Sequence, residues 1–430
     1  MSTKTGLGVP ASSPAPERLV FVKKKGRYTM SQRRKIENSL LAAVGFLEFA
    51  NAGDFAANVW NNVPVPTFAV VLMALGGIVA LAISCYAFTD ARLSWANTWI
   101  IQSERRYLQR QRVCESQGTE AMRDIDCQLD VTFRELGSEL IDRVGMDILL
   151  GFGAILVGIG TFLAIGGADP KLYRASNLMT GYIGNAPAAI WGFINALWFI
   201  WVWRRAERHR IAAAKELGAD DLERLLKDRV YTVKLHAATN GTTGFVAGAA
   251  SLVTATMWWG YVVLIPCIVS SMYCNYIWRR RIGYARLSIL RTPTFDKQSL
   301  IEELRYVTLT RKIIKDNPLN PLESLVTEPE SIEVVMGFVV KHGLFEDFCL
   351  YLLESQELSA AVLELHRDEL EIEPQRLVKV DEPLRSRLLE IAEVCVREMG
   401  IAHFQDRQRY LLETLGCYLC SQGPKSLDEK

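Results

Sequence analysis

The chain has 430 residues, 50% of them hydrophobic and 23% charged, with a formal net charge of +1 and a mean hydropathy of +0.10. Near-neutrality excludes a general affinity for nucleic acid, which requires a strong basic excess. The 9 cysteines follow no framework spacing, which excludes a small disulfide-stapled fold. The distinguishing feature is grouping: apolar residues fall in blocks of roughly 18–25, the length a helix needs to cross about 30 Å of hydrocarbon, and charges lie between the blocks.

Residues 1–37 read as a disordered basic cytosolic tail. Met1–Ala15 is rich in Ser, Pro and Thr, and Lys23, Lys24, Lys25, Arg27, Arg33, Arg34 and Lys35 suit a surface beside anionic headgroups. The first long apolar run starts near Leu40, so no cleavable signal peptide is expected. Ser39–Trp60 has the length of a crossing but carries Glu48, Asn51, Asp54 and Asn58, whose spacing places them on one face of a helix. It is expected to cross with this polar stripe turned into the bundle. The other reading is an amphipathic helix lying in the interface. Asn61–Pro66 then makes an outside turn.

Five blocks read as spanning helices: Thr67–Phe88, Met146–Ala168, Leu178–Trp203, Thr242–Trp258 and Tyr261–Trp278. Pro187 and Pro266 fall inside two of them, which is tolerated where neighbouring helices satisfy the freed carbonyls. The long loops 89–145 and 204–241 are rich in Arg and Lys, and Arg279-Arg280-Arg281 follows the last block. The alternate connections are poor in basic residues, so the loops and both termini are assigned to the cytosol. With the Ser39–Trp60 element the bundle, residues 38–290, becomes three helical hairpins. Short echoes accompany this pattern: Leu140-Ile-Asp-Arg-Val144 against Leu226-Lys-Asp-Arg-Val230, and Ala91-Arg-Leu-Ser94 against Ala285-Arg-Leu-Ser288.

The two long loops read as helical extensions. Thr292-Pro293-Thr294 marks a break, after which residues 297–422 read as a small all-helical cytosolic domain and 423–430 as a polar tail. The fold class is thus all-α: a multi-pass membrane bundle of five clear spans plus a sixth element, with a helical C-terminal domain.

Candidate functional residues are few. Glu48, Asn51, Asp54 and Asn58 form the polar stripe, and ionisable groups at membrane depth mark ion, proton or substrate paths. Gly244 and Gly248 form a GxxxG, and Gly151, Gly153, Gly158 and Gly160 line another span. Small residues let helices approach closely, within the bundle or in a homo-oligomer. No nucleotide loop, metalloprotease motif, nucleophile elbow or paired Cys–His set is present, so no catalytic residue, metal or cofactor is assigned. Cys417-Tyr-Leu-Cys420 has C-x-x-C spacing but no second pair, and reads as small apolar residues on a helix.

Gly343-Leu-Phe345-Glu-Asp-Phe348-Cys-Leu-Tyr351-Leu352-Leu-Glu354, followed by a second amphipathic helix, resembles the early helices of regulator-of-G-protein-signalling domains. Across about thirty residues this resemblance implies contact with a G-protein α subunit. The family's Glu-Asn pair is replaced here by Glu357-Leu358.

These features favour a non-enzymatic membrane scaffold whose partners, besides the lipid bilayer, are cytosolic proteins bound through residues 297–422. The alternatives are a small transporter or channel using the polar stripe, a membrane-embedded enzyme acting on an apolar substrate, and a membrane-tethered domain of the G-protein-regulating type.

Overall fold

The computed structural model describes residues 18–24, 27–60, 64–114, 119–217, 221–289, 296–362 and 369–422. The expected disorder of residues 1–17, the turn residues Asn61 and Asn62, the break at Thr292-Pro293-Thr294 and the tail 423–430 lie outside them. About 82% of the described residues are helical. It divides into two compact units, one of Lys35–Arg305 with Asp406–Lys430, the other of Met1–Arg34 with Tyr306–Gln405.

The elements begin with β1 (Leu19–Lys24), β2 (Arg27–Met30) and β3 (Lys35–Ile36), then a 3₁₀ turn at Ala42–Phe46, α1 (Leu47–Asn51) and α2 (Phe55–Val59). Long helices follow: α3 (Thr67–Cys114), α4 (Thr119–Gly137), α5 (Met146–Ile165), the shorter α6 (Pro170–Leu178), α7 (Gly184–Glu216), α8 (Asp221–Val253) and α9 (Trp259–Ile277). After β4 (Arg286–Leu287) come α10 (Lys297–Asp316), α11 (Pro321–Leu325), α12 (Ile332–Lys341), α13 (Phe345–Glu354), α14 (Gln356–Val362), β5 (Glu369–Ile372), α15 (Pro374–Val378) and α16 (Glu382–Gln422). Short π-helical stretches join α4 to α5 and α6 to α7, and extend α9 to Ile282.

Among the described residues, four helices are long and apolar enough to cross a membrane: Thr67–Cys114, Ala121–Ile165, Pro170–Glu216 and Trp259–Ile282. Their faces are inverted relative to a water-soluble bundle. On α3 the buried positions in this stretch are small apart from Met73, namely Ala69, Gly77, Ala80, Ser84 and Ala87, whereas Phe68, Val71, Leu72, Leu75 and Ile78 are exposed. α5 buries Gly151, Gly153, Ala154, Gly158 and Gly160 and exposes Ile148, Phe152 and Ile159. α7 likewise turns Ile190, Phe193, Ile194, Leu197 and Ile200 outward, while burying Trp191, Trp198 and Phe199 beside small residues. Such side chains each cost about 1.5–3 kcal/mol to leave in water, and nothing in lipid.

The glycines named from sequence all sit between helices of the same chain. A Cβ on Gly192 of α7 would collide with the carbonyl of Gly244 on α8, and one on Gly248 would lie 2.8 Å from Ala189 Cα. Gly151 faces Ala87, Gly153 faces the Gly184 carbonyl, Gly158 faces Leu81 and Gly160 faces Met179 and Thr180.

Three expectations change in form. Ser39–Trp60 does not make one helix: it is a 3₁₀ turn and two helices of 5 residues each, interrupted at Ala52–Asp54. The interruption sits where Gly53 packs against Gly76 of α3, so close that a Cβ at either position would meet the other backbone. Thr242–Trp258 is the end of α8 plus a turn, since the helix stops at Val253. The matching Ala-Arg-Leu-Ser stretches are not equivalent either, because Arg92 is exposed and Arg286 is buried.

Within the larger unit β3 pairs antiparallel with β4, Lys35 opposite Leu287 and Ile36 opposite Arg286. The smaller unit has a three-stranded antiparallel sheet in the order β2-β1-β5. Part of the stretch read as a basic tail therefore forms strands. Leu19 and Phe21 alternate inward, and Phe21 pairs with both Met30 and Leu370. No local signal names a partner so distant in sequence. In the same unit Val335, Val339, Phe345, Phe348, Leu352, Leu388 and Phe404 are buried. Ser331 caps α12 by accepting from the Val334 amide. Gly343, at φ 71°, ends that helix, with the Leu344 amide donating to the Val339 carbonyl and the Gly343 amide to that of Val340. By compactness, Asp406–Lys430 belongs with the larger unit and Met1–Arg34 with the smaller.

Candidate functional site

The broken segment Ala42–Val59 packs against α3, α5 and α9, which places its polar residues inside the bundle. Glu48, Asn51 and Asp54 are buried, Asp54 completely. Their partners are neutral. Asn51 Nδ2 donates to Glu48 Oε2 at 3.0 Å. Asp54 accepts from the Tyr261 hydroxyl at 2.8 Å and from Asn58 Nδ2 at 3.0 Å. Asn58 also donates to the Tyr261 oxygen and accepts from Thr180 Oγ1 at 3.2 Å, and Asn185 Nδ2 donates to the Thr180 carbonyl at 2.9 Å. Asp54 and Asn58 are thus joined to residues of α9 and of the α6–α7 junction that the sequence did not single out, while Glu48 and Asn51 pair with each other. Because the helix breaks at Ala52–Asp54, the stripe is two local pairs, Glu48–Asn51 and Asp54–Asn58, rather than one continuous face.

Below this system lies a charged hub. Arg143 donates through Nη2 to Asp90 Oδ2 at 2.9 Å and through Nη1 to Glu139 Oε2 at 2.9 Å, and all three residues are buried. Asp90 also accepts from the Leu41 amide at 2.7 Å, tying the broken segment to α3. Asn97 bonds both Glu139 and the Glu37 backbone. Asp147 is fully buried near Asp90 and Arg143, and neither of its carboxylate oxygens has a hydrogen-bond donor among the described residues. Asn195 likewise has no partner for either amide atom among them.

Farther along the helical extensions are two more buried networks. Arg286 binds Glu104 and Glu135 together, with Nη2 2.7 Å from Glu104 Oε2 and Nε 2.8 Å from Glu135 Oε1. The Tyr284 hydroxyl accepts from Arg134 at 2.6 Å and donates to Glu135 at 2.8 Å. Glu413 of α16 accepts hydrogen bonds from Arg205 and Arg229 and is ion-paired with Arg134 at 3.5 Å. Burial by itself would raise the Glu413 pKa. The guanidinium groups of Arg134, Arg205 and Arg229 outweigh it and hold the carboxyl well below the usual carboxylate range.

Beside Glu413 lies the one His/Cys/carboxylate cluster of ligand-like spacing among the described residues. One ligand atom each from Asp130, His209 and Cys417 lie within 4.8 Å of one another. Cys417 Sγ is 3.1 Å from Asp130 Oδ2 and 3.8 Å from His209 Nε2. Arg205 donates to both anionic-type atoms, Nη2 to Cys417 Sγ at 2.8 Å and Nε to Asp130 Oδ2 at 3.0 Å. Burial and contact with the Cys127 thiol push the Cys417 thiol well up, and burial pushes Cys420 up to about 11. The sequence showed none of this convergence, because its members lie on α4, α7 and α16. The available hints were Cys127 and Asp130 one turn apart on α4, and Cys417 and Cys420 one turn apart on α16.

No protein-family model, no curated protein and no solved structure matches this chain.

Proposed function

We propose that the protein is a multi-pass membrane protein that moves protons or small monovalent cations through the polar core around its broken helix. The observation that carries this reading is a discontinuous helix holding two buried carboxyl groups, Glu48 and Asp54, with only neutral hydrogen-bond partners. Interrupted helices with acidic residues at membrane depth are the common means by which transporters expose a charge-binding group.

The geometry also supports six crossings in three hairpins, with both chain ends on the cytosolic side. β3 and β4 are paired, so the chain enters and leaves the bundle at one face. At that face Asn38 donates to the Arg279 carbonyl at 3.1 Å. At the far end of the segment Asn58 meets Tyr261, near the start of α9. Residues 39–60 therefore traverse the bundle in broken form. The second half of α8, packed against α7 through Gly244 and Gly192, supplies the remaining crossing.

The test is flux in sealed proteoliposomes under an imposed potential, read with an internal pH dye and with cation-sensitive dyes. Wild-type vesicles should show flux, and Glu48→Gln or Asp54→Asn should abolish it at unchanged incorporation. Wild-type rates from both variants would refute the reading.

A second reading, a scaffold for cytosolic proteins, is favoured by the separate compact unit of Met1–Arg34 and Tyr306–Gln405. Crosslinking of full-length protein in native membranes would place partner crosslinks within that unit. Crosslinks confined to the bundle would count against it.

A further inference from the structure

We propose that Asp130, His209 and Cys417 form a binding site for one zinc ion, with the Cys127 thiol placed to complete a tetrahedral set.

The donor chemistry suits this metal. Zinc takes a mixed set of thiolate, imidazole and carboxylate ligands in a tetrahedron, and three helices here deliver one of each to a common point. Cys127 lies one turn before Asp130 on α4. It touches Cys417 and donates to the Thr414 carbonyl at 3.3 Å. Its side chain is thus held against Cys417, one of the three ligands.

Two features of the surroundings strengthen the reading. His209 is buried, and its ring lies against Gly416, where any Cβ would collide with the imidazole. Glycine at this position lets the ring approach the helix that carries Cys417. Arg205 donates to Cys417 Sγ and to Asp130 Oδ2, atoms that retain further lone pairs. Guanidinium donors to a metal-bound thiolate and carboxylate are typical outer-sphere partners, orienting the ligands and offsetting their charge.

The charges balance. Binding releases the thiol protons of Cys127 and Cys417 to solvent, so a dication enters as two protons leave. With Asp130 ionised, the zinc and its four ligands carry one net negative charge, which faces Arg205.

The experiment uses the full-length protein in detergent, stripped of metal and titrated with Co²⁺ as the spectroscopic probe and Zn²⁺ as competitor. The expected result is one Co²⁺ per chain with a thiolate charge-transfer band and tetrahedral d–d bands, displaced by an equivalent of Zn²⁺. Cys417→Ser should abolish the charge-transfer intensity contributed by that sulfur. His209→Gln should weaken binding by about 100-fold or more, beyond what loss of an outer-sphere partner costs. Gly416→Ala, which leaves all four ligands in place, should weaken binding by displacing the imidazole. Cys85→Ser, at an exposed thiol elsewhere, should leave the titration unchanged. Absence of a stoichiometric tetrahedral Co²⁺ spectrum in the wild type would overturn the proposal and leave Arg205 as the cation of this cluster. A spectrum unchanged in both Cys417→Ser and His209→Gln would overturn it as well.

Discussion

Arg286→Met is the most informative perturbation of the helical extensions. The guanidinium is 3% exposed and binds Glu104 and Glu135, whose side chains are 0% and 6% exposed. Methionine keeps most of the volume and removes the charge. Two carboxylates are then left in a buried site with Tyr284 and the Ile289 amide as their remaining donors. Removing one partner of a buried ion pair costs about 3–5 kcal/mol, because the other charge stays desolvated and uncompensated. Two acids depend on this one cation, so the upper part of that range, about 5 kcal/mol, is expected. The assay is thermal unfolding in detergent, followed by the loss of the monodisperse peak on size exclusion after heating, with a marked drop in transition temperature. The combined Arg286→Met, Glu104→Gln, Glu135→Gln variant should recover most of the loss, since neutral amides can be buried with partial hydrogen bonding. An Arg286→Met protein as stable as wild type, or a combined variant no better than the single one, would refute the reasoning.

Two further outcomes follow from the same physics. Glu413 is depressed by three guanidiniums, so its stabilising contribution is complete above the ordinary glutamate pKa of about 4.3 and is lost as pH falls through its lower folded value. The stability gap between wild type and Glu413→Gln should therefore be full at neutral pH and close in strong acid, and a gap of constant size down to pH ~2 would contradict this. Gly192→Val places branched carbon where the Gly244 carbonyl lies and should cost about 1–3 kcal/mol or separate α7 from α8. Cysteine crosslinking between the two helices would report the separation, and unchanged crosslinking and stability would argue against the close approach.

The membrane character was legible because it depends on runs of one residue class, which no distant contact can alter. The α3, α5 and α9 blocks fell where apolar length and flanking arginines put them. The broken helix was not legible. The spacing of Glu48, Asn51, Asp54 and Asn58 presumed a continuous helix, and whether the backbone breaks at Gly53 depends on Gly76, which packs on it from another element.

The arginines show the same division. Read along the chain, Arg143, Arg205 and Arg229 were markers of the cytosolic side, and Arg286 was part of a short sequence echo. In the fold they are buried hubs whose partners lie up to 212 residues away. Likewise Cys417 gained its meaning from Asp130 and His209, not from Cys420. Composition and periodicity determined which segments are helical and which suit a bilayer, because those properties are sums over neighbouring residues. Tertiary structure alone decided which charges meet, which helix breaks and where β1 finds β5, because a buried charge or an unpaired strand is stabilised only by a partner that the chain's folding brings to it.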